Sequence, residues 1–234
     1  MNKKFKLTRR KFLALSGGAL VQIGLPGNFI KLSQAENRVL SQELRTDGRP
    51  RIPPGQVAVE EIRAMGGMPG RGLDPEWQLQ VKGEVKTPTT FRWDDLMQLP
   101  QIDLVCDIHC VTGWTLLDSQ WRGIRLAALM EAVGVTQKAG FVIFEAHEGY
   151  TSNIPIKEAR KKNVILACRY AGDPLGEPHG APLRSLVPDR YLYKSAKWVE
   201  GVTFSAQDAP GYWESNGFSN SADPWKEDRY ANQD

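Results

Sequence analysis

Between Gln101 and Trp114 the apolar residues Ile102, Leu104, Cys106, Ile108 and Cys110 fall at every second position, and Gly113 is the first breaker after them. A period of two belongs to a strand with one buried face, whereas a helix would need a period of 3.6. The chain must therefore build a sheet here and cover one side of it. Cys110 falls where this strand runs out into a loop, inside Asp107-Ile108-His109-Cys110-Val111-Thr112-Gly113-Trp114, a place from which side chains face pockets. Taken alone, the thiol reads first as a small buried hydrophobe, the usual state of a free cysteine. Along a continuous strand Cys106 and Cys110 share a face about 13 Å apart, at ~3.3 Å per residue. That exceeds the roughly 4.4–6.8 Å Cα separation of a disulfide and is too far for both to hold one metal ion. With Cys168 as the third thiol, the chain carries no disulfide framework.

Other segments extend the sheet reading. Residues 77–81 alternate cleanly and predict a strand stopped by Gly83. Residues 93–99 predict a short helix, with Asp94 and Asp95 in the first turn where carboxylates suit the helix dipole, ended by Pro100. Trp121-Arg122-Gly123 reads as a turn. Leu126, Leu129, Met130 and Val133 make one buried helix face, ended by Gly134. Residues 141–146 predict a strand that delivers Glu145 and His147 to its end, residues 155–162 a weak helix, residues 164–170 a strand carrying Cys168, and residues 171–174 a turn. Short strands with occasional helices, and no regular strand–helix alternation, point to an α+β fold with mixed β-sheets and short flanking helices. A chain of 234 residues suffices for one sizeable core. Its net charge of +3 is too small to suggest nucleic acid as a partner.

The N-terminus reads as a targeting segment. Lys3, Lys4, Lys6, Arg9, Arg10 and Lys11 precede a mildly apolar run, residues 13–25, too short to span a bilayer comfortably. Thr8-Arg9-Arg10-Lys11-Phe12-Leu13 resembles a twin-arginine export signal, and Ser33-Gln34-Ala35 offers a cleavage site. Residues 1–35 are accordingly expected to be a signal peptide, 36–72 a flexible leader and glycine-rich loop, and 73–234 the functional domain with a C-terminal wrap. The glycines of residues 66–72 lack the spacing and flanks of a nucleotide-binding loop.

Downstream, His179-Gly180-Ala181-Pro182-Leu183-Arg184 and Lys194-Ser195-Ala196-Lys197-Trp198 place His179, Arg184, Ser195 and Lys197 on a path stiffened by glycine and proline. Such donors suit an oxyanion or a phosphate ester, with Arg as a fork and Lys as a point charge. Composition alone leaves open a solvated loop with ordinary surface cations.

These two segments together resemble the sulfite-oxidase-type molybdopterin oxidoreductases: Asp107 to Trp114, followed by Trp121-Arg122-Gly123, is similar to their molybdenum-binding segment, and His179 to Arg184 with Lys194 to Trp198 to their pterin-binding segment. The resemblance runs from about residue 77 to residue 230. It implies a molybdenum-molybdopterin cofactor with Cys110 as the thiolate ligand to the metal, a soft anionic sulfur being suited to a high-valent metal. By the same resemblance His179, Arg184, Ser195, Ala196 and Lys197 hold the pterin and its phosphate, Glu145 lies against the pterin, and His109 supports the ligand from beside it. The Cys-x-x-x-Trp form is closer to the bacterial methionine-sulfoxide-reducing catalytic subunit than to sulfite oxidases proper, which place an arginine soon after the cysteine. The Asn-Asn-Phe-Tyr-Glu segment of that subunit is absent. The implied activity is oxygen-atom transfer to or from a sulfoxide- or sulfite-like substrate, small or protein-bound, in the periplasm or another extracytoplasmic space. The sequence lacks a CxxCH haem motif, so electrons are expected to pass through a separate redox partner, a haem membrane subunit or a soluble cytochrome. Two other readings compete, a non-catalytic exported binding module on the same fold and a zinc protein using Cys110, His109 and His147.

Overall fold

The computed structural model describes residues 42–66 and 74–231; the expected export signal and most of the glycine-rich loop lie outside them. Two sheets make up the fold. The first is organised on a long hairpin, β4 (Gln101–Cys110) and β5 (Trp114–Arg125). β4 runs antiparallel along one edge of β5. The other edge takes β1 (Val57–Val59), parallel, beside Trp114 to Leu116, and then β8 (Ile165–Tyr170), antiparallel, beside Trp121 to Arg125. β9 (Asp173–Pro174) and β10 (Arg184–Leu186) pair with β8. The second sheet runs β3–β2–β11–β6–β7, formed by β2 (Gln78–Gly83), β3 (Thr89–Arg92), β6 (Phe141–Ala146), β7 (Thr151–Pro155) and β11 (Val199–Ser205). β11 lies parallel to β2 and antiparallel to β6, so both sheets are mixed, as the α+β reading expects. The helices are short: α1 (Trp93–Met97), α2 (Leu126–Val133), α3 (Ile156–Ala159) and α4 (Tyr212–Ser215).

The main core gathers Leu79, Val81, Phe144, Val202 and Phe204 of the second sheet under the α2 face of Leu126, Leu129, Met130 and Val133. A second apolar cluster, with Ile108, Cys110, Trp114, Trp121, Ile165, Ala167 and Leu186, lies within the first sheet's territory. β8 feeds both, Leu166 and Cys168 into one and Ile165 and Ala167 into the other. Burial on both faces is why its sequence reads as an unbroken apolar run. All three cysteines are free thiols.

Two expectations need correction. Trp121-Arg122-Gly123 is no turn but the middle of β5. A Cβ on Gly123 would stand 2.1 Å from the Leu166 carbonyl oxygen, so the glycine serves close approach of two strands rather than chain reversal. The described part of the leader, residues 42–66, is largely exposed but tied to the domain at several points. Arg51 grips Asp107 through two bonds of 2.9 and 2.6 Å, and Trp225 of the C-terminal wrap donates to the Pro50 carbonyl at 2.8 Å. Its charged residues find partners on the domain, which composition alone does not reveal.

Candidate active site

The sulfur of Cys110 sits at the mouth of a three-residue loop. Gly113 adopts φ 94°, a left-handed conformation open to glycine, and returns its amide to the Cys110 carbonyl at 3.0 Å. The side chain is 5 % exposed, with its Sγ 3.2 Å from the Thr112 hydroxyl. Burial pushes the thiol pKa up, while Thr112 and the guanidinium charges of Arg63 and Arg229 pull it down. Directly across the hairpin, Trp114 is 1 % exposed. Its buried Nε1–H meets no acceptor among the described residues, and the Arg63 guanidinium lies 5.9 Å from its ring centroid. Arg229 also donates to the Val111 carbonyl. Gln56 Nε2 donates to the Cys110 carbonyl at 3.1 Å.

His109 does not join this sulfur. As the next residue along a strand it faces the other way, fully buried, edge-on to Trp225 at 5.0 Å between ring centroids, with Nδ1 2.9 Å from the Thr115 hydroxyl. Burial pushes its pKa down to about 3 and keeps it neutral. Glu145 lies across from Gly201 of β11. Its neighbours Phe144 and Ala146 face the core, while its carboxylate accepts from Lys82 at 2.9 Å and from Thr203 at 2.6 Å. His147 pairs with Glu200 at 3.1 Å.

The cationic segment does come together. Arg184 is 3 % exposed and donates to the carbonyls of His179 at 3.1 Å, Ser195 at 3.2 Å and Ser185 at 3.4 Å. Lys197 Nζ donates to the Gly66 and Pro178 carbonyls at 2.6 and 3.1 Å and lies 4.1 Å from the Trp198 ring centroid. Gly180, at φ 104°, lets the two close in: a Cβ there would stand 2.9 Å from Lys197 Cβ and 3.2 Å from Arg184 Cβ. Ser195 is buried, and its hydroxyl accepts the Val187 amide at 2.9 Å; the Ala196 carbonyl accepts the Ser185 amide at 2.9 Å. Among the described residues no carboxylate pairs with Arg184, Lys197 or His179. Burial lowers the pKa of all three, Arg184 to about 10 and Lys197 to about 8, and the Arg184 charge lowers both Lys197 and His179 further. Side chains that depress one another this way create a field that favours an anion.

Aromatic packing connects the two halves. Trp121 shares the apolar cluster of Cys110 and lies 5.2 Å from the Arg184 guanidinium, and Tyr170 bridges from Trp121 (4.7 Å) to His179 (6.2 Å) between ring centroids. The donor set thus fits a group that offers a metal to sulfur at one end and a phosphate to cations at the other. Gln56, Arg63 and Arg229 were not foreseen from sequence. They reach Cys110 from remote segments and carry no local pattern; only the Cys-x-x-x-Trp spacing hinted at Trp114.

Residues 65–213 match the oxidoreductase molybdopterin binding domain family. The chain is 38 % identical over 188 residues to the uncharacterized oxidoreductase YuiH of Bacillus subtilis, covering 80 % of this chain and 95 % of that protein. It is 30 % identical over 153 residues to the protein-methionine-sulfoxide reductase catalytic subunit MsrP of Ralstonia nicotianae, covering 58 % of this chain and 46 % of that one. The sulfane dehydrogenase SoxCD of Paracoccus pantotrophus superposes with a TM-score of 0.54 at 19 % identity, over 61 % of this chain and 41 % of that one, a likeness of fold. The chain therefore spans nearly all of one relative and about half of another. With the family match covering well over half of its length, the chain belongs to the sulfite-oxidase-type molybdopterin-binding oxidoreductases and is an enzyme whose cofactor is molybdenum-molybdopterin.

Proposed function

We propose that this protein is an exported oxidoreductase that moves an oxygen atom to or from a sulfoxide- or sulfite-like substrate, with Cys110 as the thiolate ligand to molybdenum. The observation that carries this reading is the pairing of a buried strand-end thiol with a cluster of the buried Arg184 and the half-buried Lys197 and His179, none of which pairs with a carboxylate among the described residues. Arg184, Lys197 and His179 hold the pterin's phosphate end through charge-assisted bonds, while Ser195 and Ala196 fix the path of the loop through their bonds to Val187 and Ser185. When bound, the cofactor supplies two-electron redox chemistry at a metal suited to oxygen-atom exchange. Cys110 would hold the metal as a thiolate, which the charges of Arg63 and Arg229 would favour against the cost of burial. Trp114 brings an indole N–H to the same neighbourhood.

Glu145 and His109 take other roles in this reading, Glu145 as a tie within the second sheet and His109 as a prop behind the strand. The relative named as a methionine-sulfoxide reductase supports the sulfoxide end of the substrate range. The Arg9-Arg10 pattern supports export in the folded state to an extracytoplasmic compartment, and a separate haem-bearing partner would exchange electrons with the enzyme.

The test is the metal and pterin content of mature protein purified from a host that makes the cofactor, followed by reduction assays with sulfoxides, N-oxides and sulfite. Near-stoichiometric molybdenum is expected. The C110S variant should keep the fold and lose both turnover and the thiolate-to-metal charge-transfer absorption. Wild-type protein without molybdenum overturns the reading, and zinc in its place would favour the zinc alternative. Against that alternative, no three His, Cys, Asp or Glu side chains gather in a metal-binding cluster among the described residues.

A further inference from the structure

A directed chain of hydrogen bonds stands behind the sulfur. Gln56 Nε2 donates to the Cys110 carbonyl at 3.1 Å, the Thr115 hydroxyl donates to Gln56 Oε1 at 3.3 Å, and His109 Nδ1 lies 2.9 Å from Thr115 Oγ1. With the threonine proton committed to Gln56, the His109 ring must donate through Nδ1. The chain then runs one way, from His109 through Thr115 and Gln56 to the Cys110 carbonyl. A flipped Gln56 amide would set oxygen against oxygen at Cys110, so only one orientation serves. His109 and Thr115 are fully buried, and Trp225 packs on the imidazole. The glutamine itself is held in place by its neighbour: Val57 donates its amide to the Gly113 carbonyl at 3.0 Å and pairs with Trp114. Gln56 precedes residues 65–213, the stretch matched by the family. The segment before the common domain thus reaches into its centre.

We propose that Gln56 is a positioning residue for the metal-binding sulfur, fixing the Cys110 peptide plane and through it the direction in which the thiolate leaves the strand. The inference rests on Cys110 being the thiolate ligand. Gln56 acts through the Cys110 backbone and is not a catalytic residue.

The experiment uses full-length, cofactor-loaded protein. Gln56→Met keeps the length of the side chain and removes both partners; Gln56→Glu keeps the acceptor for Thr115 and sets a carboxylate oxygen against the Cys110 carbonyl. Expected are unchanged molybdenum content, a shifted thiolate-to-metal absorption band and altered Mo(V) EPR g-values in both variants. The kcat should fall by about tenfold with KM held within about twofold. Thr115→Val, which frees Gln56 Oε1, should shift the same signals less, and it carries the test should either glutamine variant fail to fold. A Gln56→Met protein with normal molybdenum and unchanged band, g-values and kcat overturns the proposal. Absence of the band from wild-type protein would instead strike the Cys110 assignment, so the two failures are told apart.

Discussion

Arg184→Met separates a residue that holds the fold from one that holds the cofactor. The guanidinium is almost wholly buried with no carboxylate partner among the described residues, and burial pulls its pKa from 12.5 down to about 10. At about 1.4 kcal/mol per unit, that is a penalty of roughly 3 kcal/mol carried by the folded state. Against it stand three hydrogen bonds to carbonyls, one of them long at 3.4 Å. At roughly 1.5 kcal/mol each they contribute about 4–5 kcal/mol. Replacing the arginine by a flexible apolar chain removes both terms, so the net loss should be only about 1–2 kcal/mol, a few degrees in Tm. Under the proposed function cofactor retention should suffer far more, because the cation proposed to hold the phosphate is gone. Thermal unfolding of cofactor-free protein, alongside pterin fluorescence released from protein purified with cofactor, reads the two effects separately. Cofactor-free protein destabilised by more than about 4 kcal/mol, with pterin content unchanged, would refute the reasoning and make Arg184 a structural residue.

Two further outcomes follow from the same geometry. Lys197 titrates near 8 in the folded protein against 10.5 for an ordinary lysine, chiefly through burial and then Arg184. Between those values the unfolded chain binds more protons. The destabilisation from this residue is therefore full below pH 8, fades as pH rises through that window and is gone above it. Urea midpoints of cofactor-free protein across that range should rise less steeply in Lys197→Met, and identical slopes would count against the assignment. At Gly123, a Cβ would meet the Leu166 carbonyl oxygen at 2.1 Å, so Gly123→Ala must push β5 from β8 and should cost about 2–4 kcal/mol, read as a lowered urea midpoint; a loss under about 0.5 kcal/mol would show that the strands part freely.

What could be read in advance followed the range of the interaction. β4, the α2 face and β6 were legible because their periodicity is local and their burial one-sided or complete. β11 was not, although it is central to its sheet: Gly201 interrupts its pattern, and its pairing with β2 lies far away in the chain. The remainder of β5 was missed for a related reason, since Gly123 carries the mark of a turn while serving an interstrand contact. The described leader was misjudged because polar composition predicts mobility only when the charges lack partners, and Arg51 finds Asp107.

The site divides along the same line. The donors from His179 to Lys197 sit close in sequence, so the segment that bears them also assembles them. His109 shows the opposite lesson. The alternation that announces the strand also requires adjacent residues to face opposite ways, so standing next to Cys110 in the chain removes His109 from the sulfur in space. The hydrogen bonds of its ring run instead through Thr115 and Gln56 to the Cys110 carbonyl, and one link of that route comes from outside the family's common domain. A relative that shares the cysteine but not the preceding segment would hold that carbonyl by the Gly113 amide without the glutamine's second bond. Transplanting residues 42–64 into such a relative should therefore change its thiolate-to-metal absorption, and an unchanged spectrum would show that the bracing is confined to the fold and does not reach the metal.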